Sequence, residues 1–187
     1  MSSRSMLAAG LLALAAALPA SAQRLVPAQS EVAFTSRQMG VPVDGNFRRF
    51  DAQVSFDPKR PEAGRVAITI DTGSASFGAP ETDAEVPKAA WFDVAKFPQA
   101  RFESSAVKGL GGGRYEVAGK LTIKGQARDI VVPVTLAAAG SNTLASGSFA
   151  LKRLDFKIGE GEWSDTSLVA NDVQVRFKLL LADLPPP

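Results

Sequence analysis

Tyr115-Glu116-Val117-Ala118-Gly119-Lys120-Leu121-Thr122-Ile123-Lys124-Gly125 decides the fold class. Tyr115, Val117, Leu121 and Ile123 fall on one side of a period of two, and Glu116, Lys120, Thr122 and Lys124 on the other. That is the strand period, because successive side chains of an extended chain point to opposite faces. Lys124-Gly125 then reads as a turn. The alternation resumes beyond it, with Ile130, Val132, Val134 and Leu136 opposing Asp129, Val131, Pro133 and Thr135. It recurs upstream in Val66, Ile68 and Ile70, and near the C-terminus in Val173, Val175, Phe177 and Leu179.

Weaker strand patterns cover Glu31 to Arg37, Phe47 to Phe56, Ala100 to Val107 and Gly147 to Asp155, for about eight strands in all. Asp57-Pro58, Gly111-Gly112-Gly113 and Gly140-Ser141-Asn142 mark turns between them. Strands apolar on one face must bury that face, in two packed sheets or in one sheet closed into a barrel. The pattern alone leaves both open. One region lacks the period. Around Ser74 to Pro98 the chain predicts a loop and then a short helix from Thr82 or Asp83 to Trp91, with Thr82 and Glu85 spaced as a capping box. Pro87 restricts that helix to about two turns. Leu184-Pro185-Pro186-Pro187 reads as a frayed or extended tail.

The N-terminus has the organisation of a signal peptide. Arg4 precedes an apolar stretch from Met6 to Leu18, and Ala20-Ser21-Ala22 offers small residues for cleavage before Gln23. The stretch is shorter than the ~20 residues that span a bilayer, and no Cys follows it to carry a lipid. A signal peptide over 1–22 and one domain over 23–187 are therefore expected, with a periplasmic mature chain and no stable membrane anchor. Without Arg4, 20 basic residues face 19 acidic ones, and no stretch gathers Lys and Arg on one face with interleaved aromatics. Nucleic acid is an unsuitable partner for such a surface.

Cys and His are both absent. Disulfides, His-based metal centres and His-activated nucleophiles are excluded, so neither a metal nor a catalytic residue is assigned, and no cofactor is expected. Glu160, Glu162 and Asp165, near Trp163, have the composition of a glycosidase acid pair but read better as a solvated turn. Asp71, Glu81, Asp83 and Glu85 lack the spacing of a calcium loop. Lys120 and Lys124 read as solvated. Arg153 and Asp155 read as a structural ion pair or as polar groups at a pocket mouth. Eleven Phe against one Tyr favour rings without a polar handle, which suit a deep apolar cavity and a filled core equally well.

Several blocks together resemble the YceI-like family of secreted, lipocalin-like barrels. They are Ser30-Glu31-Val32-Ala33-Phe34, Met39 to Phe47, Val54-Ser55-Phe56-Asp57-Pro58, Trp91-Phe92-Asp93-Val94 with Phe97-Pro98, Gly119 to Gly125, and Leu151-Lys152-Arg153-Leu154-Asp155-Phe156 before Gly159. Many members carry a histidine-leucine pair where this chain has Val86-Pro87-Lys88-Ala89-Ala90. The resemblance implies an all-β, antiparallel, eight-stranded lipocalin-like barrel with one short helix. It further implies a carrier holding a polyisoprenoid lipid, of quinone or polyprenyl type. The alternatives are an accessory or catalytic protein acting on quinone or lipid at the membrane, and an envelope stress protein with a filled barrel. A homodimer is compatible with either.

Strand alternation assigns the lining of that interior. Phe34 comes from the first strand, Phe47, Val54 and Phe56 from the second, and Ile68 and Ile70 from the third. Phe102 follows, then Val117, Leu121 and Ile123, and then Val134. Phe149, Leu151, Val175 and Phe177 complete the strands, with Trp91 and Phe92 covering one end.

Overall fold

The alternating segments pair into one antiparallel sheet that closes on itself. The structure is a computed structural model and describes residues 22–184. Its strands are β1 (Gln23–Leu25), β2 (Glu31–Gln38), β3 (Val41–Phe47), β4 (Phe50–Ser55), β5 (Arg65–Asp71) and β6 (Ala75–Ser76), then β7 (Gln99–Gly111), β8 (Arg114–Ile123), β9 (Gln126–Ala139), β10 (Asn142–Lys152) and β11 (Asp172–Ala182). The one α-helix among the described residues is α1 (Pro80–Glu85). Residues 1–21 of the expected signal peptide and residues 185–187 lie outside the described residues.

β2 pairs with β3 and with β11, and β4 pairs with β5. From β5 the ladder runs through β7, β8, β9 and β10 back to β11. β3 and β4 are two halves of one interrupted strand, so the ring has eight members. β1 bridges β4 and β11 and finishes the closure. Closure leaves no long edge exposed, which a chain without disulfides needs for solubility and stability.

Three expectations need correction. The segment Phe47 to Phe56 is broken at Arg48-Arg49, where Arg48 N and Arg49 N turn aside to donate to Ser74. The late strand begins earlier than Gly147 and ends at Lys152, because Arg153–Phe156 winds into a 3-10 turn. The helix is Pro80–Glu85, not Thr82 to Trp91. Pro80 occupies its first turn, where a missing N–H costs nothing, and Thr82 provides no cap. From Val86 to Phe97 the chain continues as successive turns, with Phe92 N bonded to Val86 O and Phe97 N to Asp93 O.

The two ends of the barrel differ. At one end β1, the last residues of β11 and Leu184 form a packed plug with Val54, Phe56, Val107, Leu136 and Ala145. The Gln23 amide exchanges two hydrogen bonds with the Phe56 backbone, and Thr143 Oγ1 donates to Leu184 O at 3.0 Å. At the other end lie the β2–β3 turn, α1 with the 86–97 turns, and the 153–171 connection between β10 and β11.

Candidate functional site

Between the plug and the open end runs a cavity of about 600 Å³, within the range of roughly 300–1,000 Å³ usual for small-molecule sites. Every residue that alternation assigned to the interior lines it. Phe34, Phe47, Val54, Phe56, Ile68 and Ile70 come from β2 to β5 and the turn after β4. Phe102, Val117, Leu121, Ile123, Val134, Phe149, Leu151, Val175 and Phe177 come from β7 to β11, while Trp91 and Phe92 close over the end. Val32, Val66, Ile130, Val132, Val173 and Leu179 extend the apolar wall on the same faces.

The wall stays open because three of its rings lie back against glycines. Phe34 faces Gly45 across the β2–β3 ladder, and Phe177 faces Gly147 across β10–β11. Phe102 covers Gly119 on β8. A Cβ at Gly45 would sit 2.5 Å from Phe34 Cζ, and one at Gly147 or Gly119 would sit 2.6 Å from the Cζ of Phe177 or Phe102. Glycine thus leaves room for each ring to flatten against the sheet, so that it does not project into the lumen. Phe34 is further held by Phe47 and Phe77, each with its ring centroid 5.2 Å away.

Apart from the Tyr115 phenol, which packs on Phe56 at the plugged end, the polar lining residues are few and belong to the open end. Ser36 and Gln38 end β2, Glu81, Thr82 and Glu85 come from α1, Arg101 begins β7, and Arg153 follows β10. This places the mouth among the β2–β3 turn, α1 and the 153–171 connection. Asp155 does not line the cavity, and Arg153 makes no ion pair with it. The guanidinium is 2% exposed and donates instead to five backbone carbonyls. These are Ala170 O at 3.0 Å, Ile158 O at 2.9 Å, Gly159 O at 3.0 Å, Trp163 O at 2.7 Å and Val169 O at 2.6 Å. The 3-10 turn at Arg153 destroys the alternation that would have put it beside Asp155. Burial pushes the Arg153 guanidinium below its usual value, and the carbonyl dipoles take the place of a counter-ion.

Lys124 is a second correction, since it is buried, not solvated. Its residue sits in the left-handed region at φ 48°, which turns the side chain away from the outer face of β8. Nζ donates to Ala89 O at 2.7 Å, Lys157 O at 2.8 Å and Glu160 Oε2 at 2.8 Å. It thereby ties the 86–97 turns to the 153–171 connection. Ala90 O accepts from Gly159 N and Glu160 N across the same seam, and Trp91 packs on Trp163 at 5.5 Å between centroids. The hydrogen bond from Lys124 holds the Glu160 carboxyl below its ordinary value. Arg153 and Lys124 are therefore the two residues that hold the cover of the mouth together. Alternation could not reveal them, because both act at turns.

Three of the other acids are engaged locally. Asp165 accepts from Ser167, Asp71 from Arg49 and Gly73 N, and Asp83 from Ser76 and Phe77 N. Among the described residues no group of three or more acids could hold a metal ion.

The YceI-like domain profile matches residues 24–181. The chain belongs to the YceI-like family. A UPF0312 protein of Vibrio cholerae is 31% identical over 141 residues, which span 71% of this chain and 75% of that relative. For the UPF0312 protein of Ectopseudomonas mendocina the figures are 32% over 120 residues, 61% of this chain and 63% of the relative, so the match spans somewhat under two thirds of that protein. Among solved structures, Burkholderia cenocepacia BcnA is 44% identical with a TM-score of 0.81, over 83% of this chain and 98% of that one. A polyisoprenoid binding domain from Saccharophagus degradans, implicated in plant cell wall breakdown, shares the fold with a TM-score of 0.68 at 18% identity, over 88% and 98% of the chains. The eight-stranded antiparallel barrel of this YceI-like chain is thus the fold of its relatives.

Proposed function

We propose that this YceI-like protein is a carrier that holds a polyisoprenoid lipid, of quinone or polyprenyl type, inside the barrel. The observation that carries the reading is the lumen itself: about 600 Å³, walled by aliphatic and phenyl groups, open at one end and plugged at the other. Moving methylene-like groups from water into such a wall gains about 0.8 kcal/mol each, so a long chain binds without specific polar contacts. The few polar groups at the mouth suit a ligand whose chain lies deep and whose polar end lies outward. Family membership and the polyisoprenoid binding described for the Saccharophagus degradans domain agree with this reading. A filled barrel would lack the lumen, and a catalyst would need reactive groups along the lining. The export segment before Gln23 adds a periplasmic setting, where a water-insoluble lipid requires a carrier to leave a membrane.

Mass spectrometry of an organic extract of natively purified protein tests the cargo. A polyprenyl or prenylquinone species at near-stoichiometric yield is expected. A protein that extracts clean and gains no thermal stability from added polyprenyl quinone would refute the carrier reading, because a ligand that binds only the native state must raise its stability. Intact mass of the exported chain checks export separately: a start at Gln23 is expected, and retention of Met1 to Ala22 in a membrane fraction overturns it.

A further inference from the structure

The apolar wall does not stop at the mouth. On β3 the inward-facing positions run Phe47, Gly45, Val43 and Val41, and the first and third of these residues line the cavity. Val41 continues the same stripe beyond the rim, where it is 63% exposed. Met39, in the β2–β3 turn, is 73% exposed. Leu168, 43% exposed, lies beside it, because Met39 N donates to Leu168 O at 2.8 Å and Gln38 bridges to Val169. Gln38 and Val169 themselves line the cavity. Three of the five large apolar side chains most exposed among the described residues thus gather at one point of the mouth. The other two, Leu110 and Val131, lie apart from it, Leu110 toward the plugged end and Val131 on the flank.

We propose that this tip is a membrane-docking edge that inserts into the surface of a lipid bilayer. The stripe from Val41 to Phe47 then gives an apolar chain a continuous path from bilayer to lumen. The proposal rests on the lipid-carrier reading for its purpose but is measured without reference to cargo. A bilayer fits the tip better than a charged partner does. Arg37, which donates to Gly40 O at 3.2 Å, is the one basic side chain on the turn. Glu81, Glu85, Glu162 and Asp165 share that end with Lys88, Lys96, Arg101 and Lys157, with Lys88 paired to Glu85 and Lys96 to Asp93, so its charge is mixed and anionic lipid gains little there. Docking is therefore weak, reversible and driven by apolar insertion, which lets a carrier leave after loading.

The chain has no cysteine, so single cysteines can carry an environment-sensitive fluorophore without background. Met39→Cys, Leu168→Cys and the plugged-end control Leu110→Cys are labelled in the full mature protein and mixed with phosphatidylcholine vesicles. Blue shifts at positions 39 and 168, none at 110, and little change on adding phosphatidylglycerol or salt are expected. Met39→Asp, at the tip but off the stripe, should weaken vesicle flotation and vesicle-to-vesicle transfer of a polyprenyl quinone on the order of tenfold or more, while uptake from detergent and the melting temperature stay unchanged. Silence at 39 and 168, an equal shift at 110, or dependence on anionic lipid overturns the proposal. So does a shift that appears without vesicles and grows with protein concentration, which marks the tip as a contact between copies. If the labels insert but no quinone is taken up, docking stands and the carrier reading fails. If quinone is taken up but the labels stay silent, the reverse holds.

Discussion

Gly45→Ala should force the Phe34 ring off the barrel wall and into the lumen. The new methyl carbon would stand 2.5 Å from Phe34 Cζ and 2.7 Å from Cε2, with Ser76 O at 3.1 Å. Carbon atoms pack at about 3.5 Å or more, so the ring must withdraw by about 1 Å, and the wall leaves it only the lumen to enter. Two effects compete. Gly45 lies in a strand without a positive φ, so alanine by itself would stabilise by about 0.5–1 kcal/mol through the unfolded chain. Overpacking costs about 1–3 kcal/mol, and Phe34 is also wedged by Phe47 and Phe77, so the collision wins. A net loss of about 1–2 kcal/mol in urea unfolding is expected, with less lipid retained in native mass spectrometry. Phe34→Leu shortens the ring that collides, so the double variant should recover stability, with a coupling of about 1 kcal/mol or more in the cycle. A Gly45→Ala protein as stable and as well loaded as wild type, with an additive cycle, would falsify the role given to the Gly–Phe pairs.

Arg153→Met keeps the bulk of the side chain but strands five carbonyls. At about 1 kcal/mol each, less the desolvation cost of the guanidinium that the variant no longer pays, it should lose about 3–5 kcal/mol, with faster amide exchange over residues 158–171, and unchanged exchange there would refute it. Glu160→Gln should lower stability near neutrality and leave it unchanged in acid. The native carboxyl lies below its ordinary 4.5, so its contribution is full above that value and is lost as pH falls through the depressed one. The melting-temperature gap between wild type and variant should therefore hold near neutrality and close in acid, and a gap that widens in acid contradicts the assignment. Leu121→Asp, which puts a charge on the lumen wall, should abolish lipid retention or folding, while Lys120→Gln, on an exposed pair with Asp129, should shift melting very little. Equal effects at 120 and 121 would mean the facing of β8 is misread.

What was readable in the sequence depended on whether a residue sits in a regular strand. β8 and β11 are long and uninterrupted, so one register assignment placed Val117, Leu121, Ile123, Val175 and Phe177 on the lumen wall together. The reading of Phe47 to Phe56 as one strand missed the break at Arg48-Arg49. Phe47 faces inward at an odd position while Ala52, Val54 and Phe56 face inward at even ones, and no unbroken strand can do both. Arg153 and Lys124 were not readable. All but one of their partners are backbone carbonyls, and a carbonyl acceptor leaves no mark on residue type. The hollow interior was equally hidden, because a phenylalanine that fills a core and one that lines a cavity obey the same alternation. Only the glycine opposite the ring tells them apart, and finding it requires the register between two strands.

That distinction bears on how a hollow barrel stays folded. A lumen that side chains line but do not fill forgoes the protein contacts of a packed core, so much of the chain's own stability must reside elsewhere. The plug supplies one share, with Leu25, Phe56, Val107, Leu181 and Leu184 packed at the closed end. Phe156 and Ile158 supply another, packed with Ala100, Leu121 and Ile123 outside the strands' ends at the mouth. Between them, the two buried cations fasten the cover with eight hydrogen bonds, seven of them to backbone carbonyls. Directional bonds hold a cover in one place without filling the space beneath it, which apolar packing cannot do. The middle of the barrel is thereby left as the region where apolar burial is still to be gained. In the proposed carrier role, a long apolar chain completes it, and the Phe–Gly pairs leave the room for it.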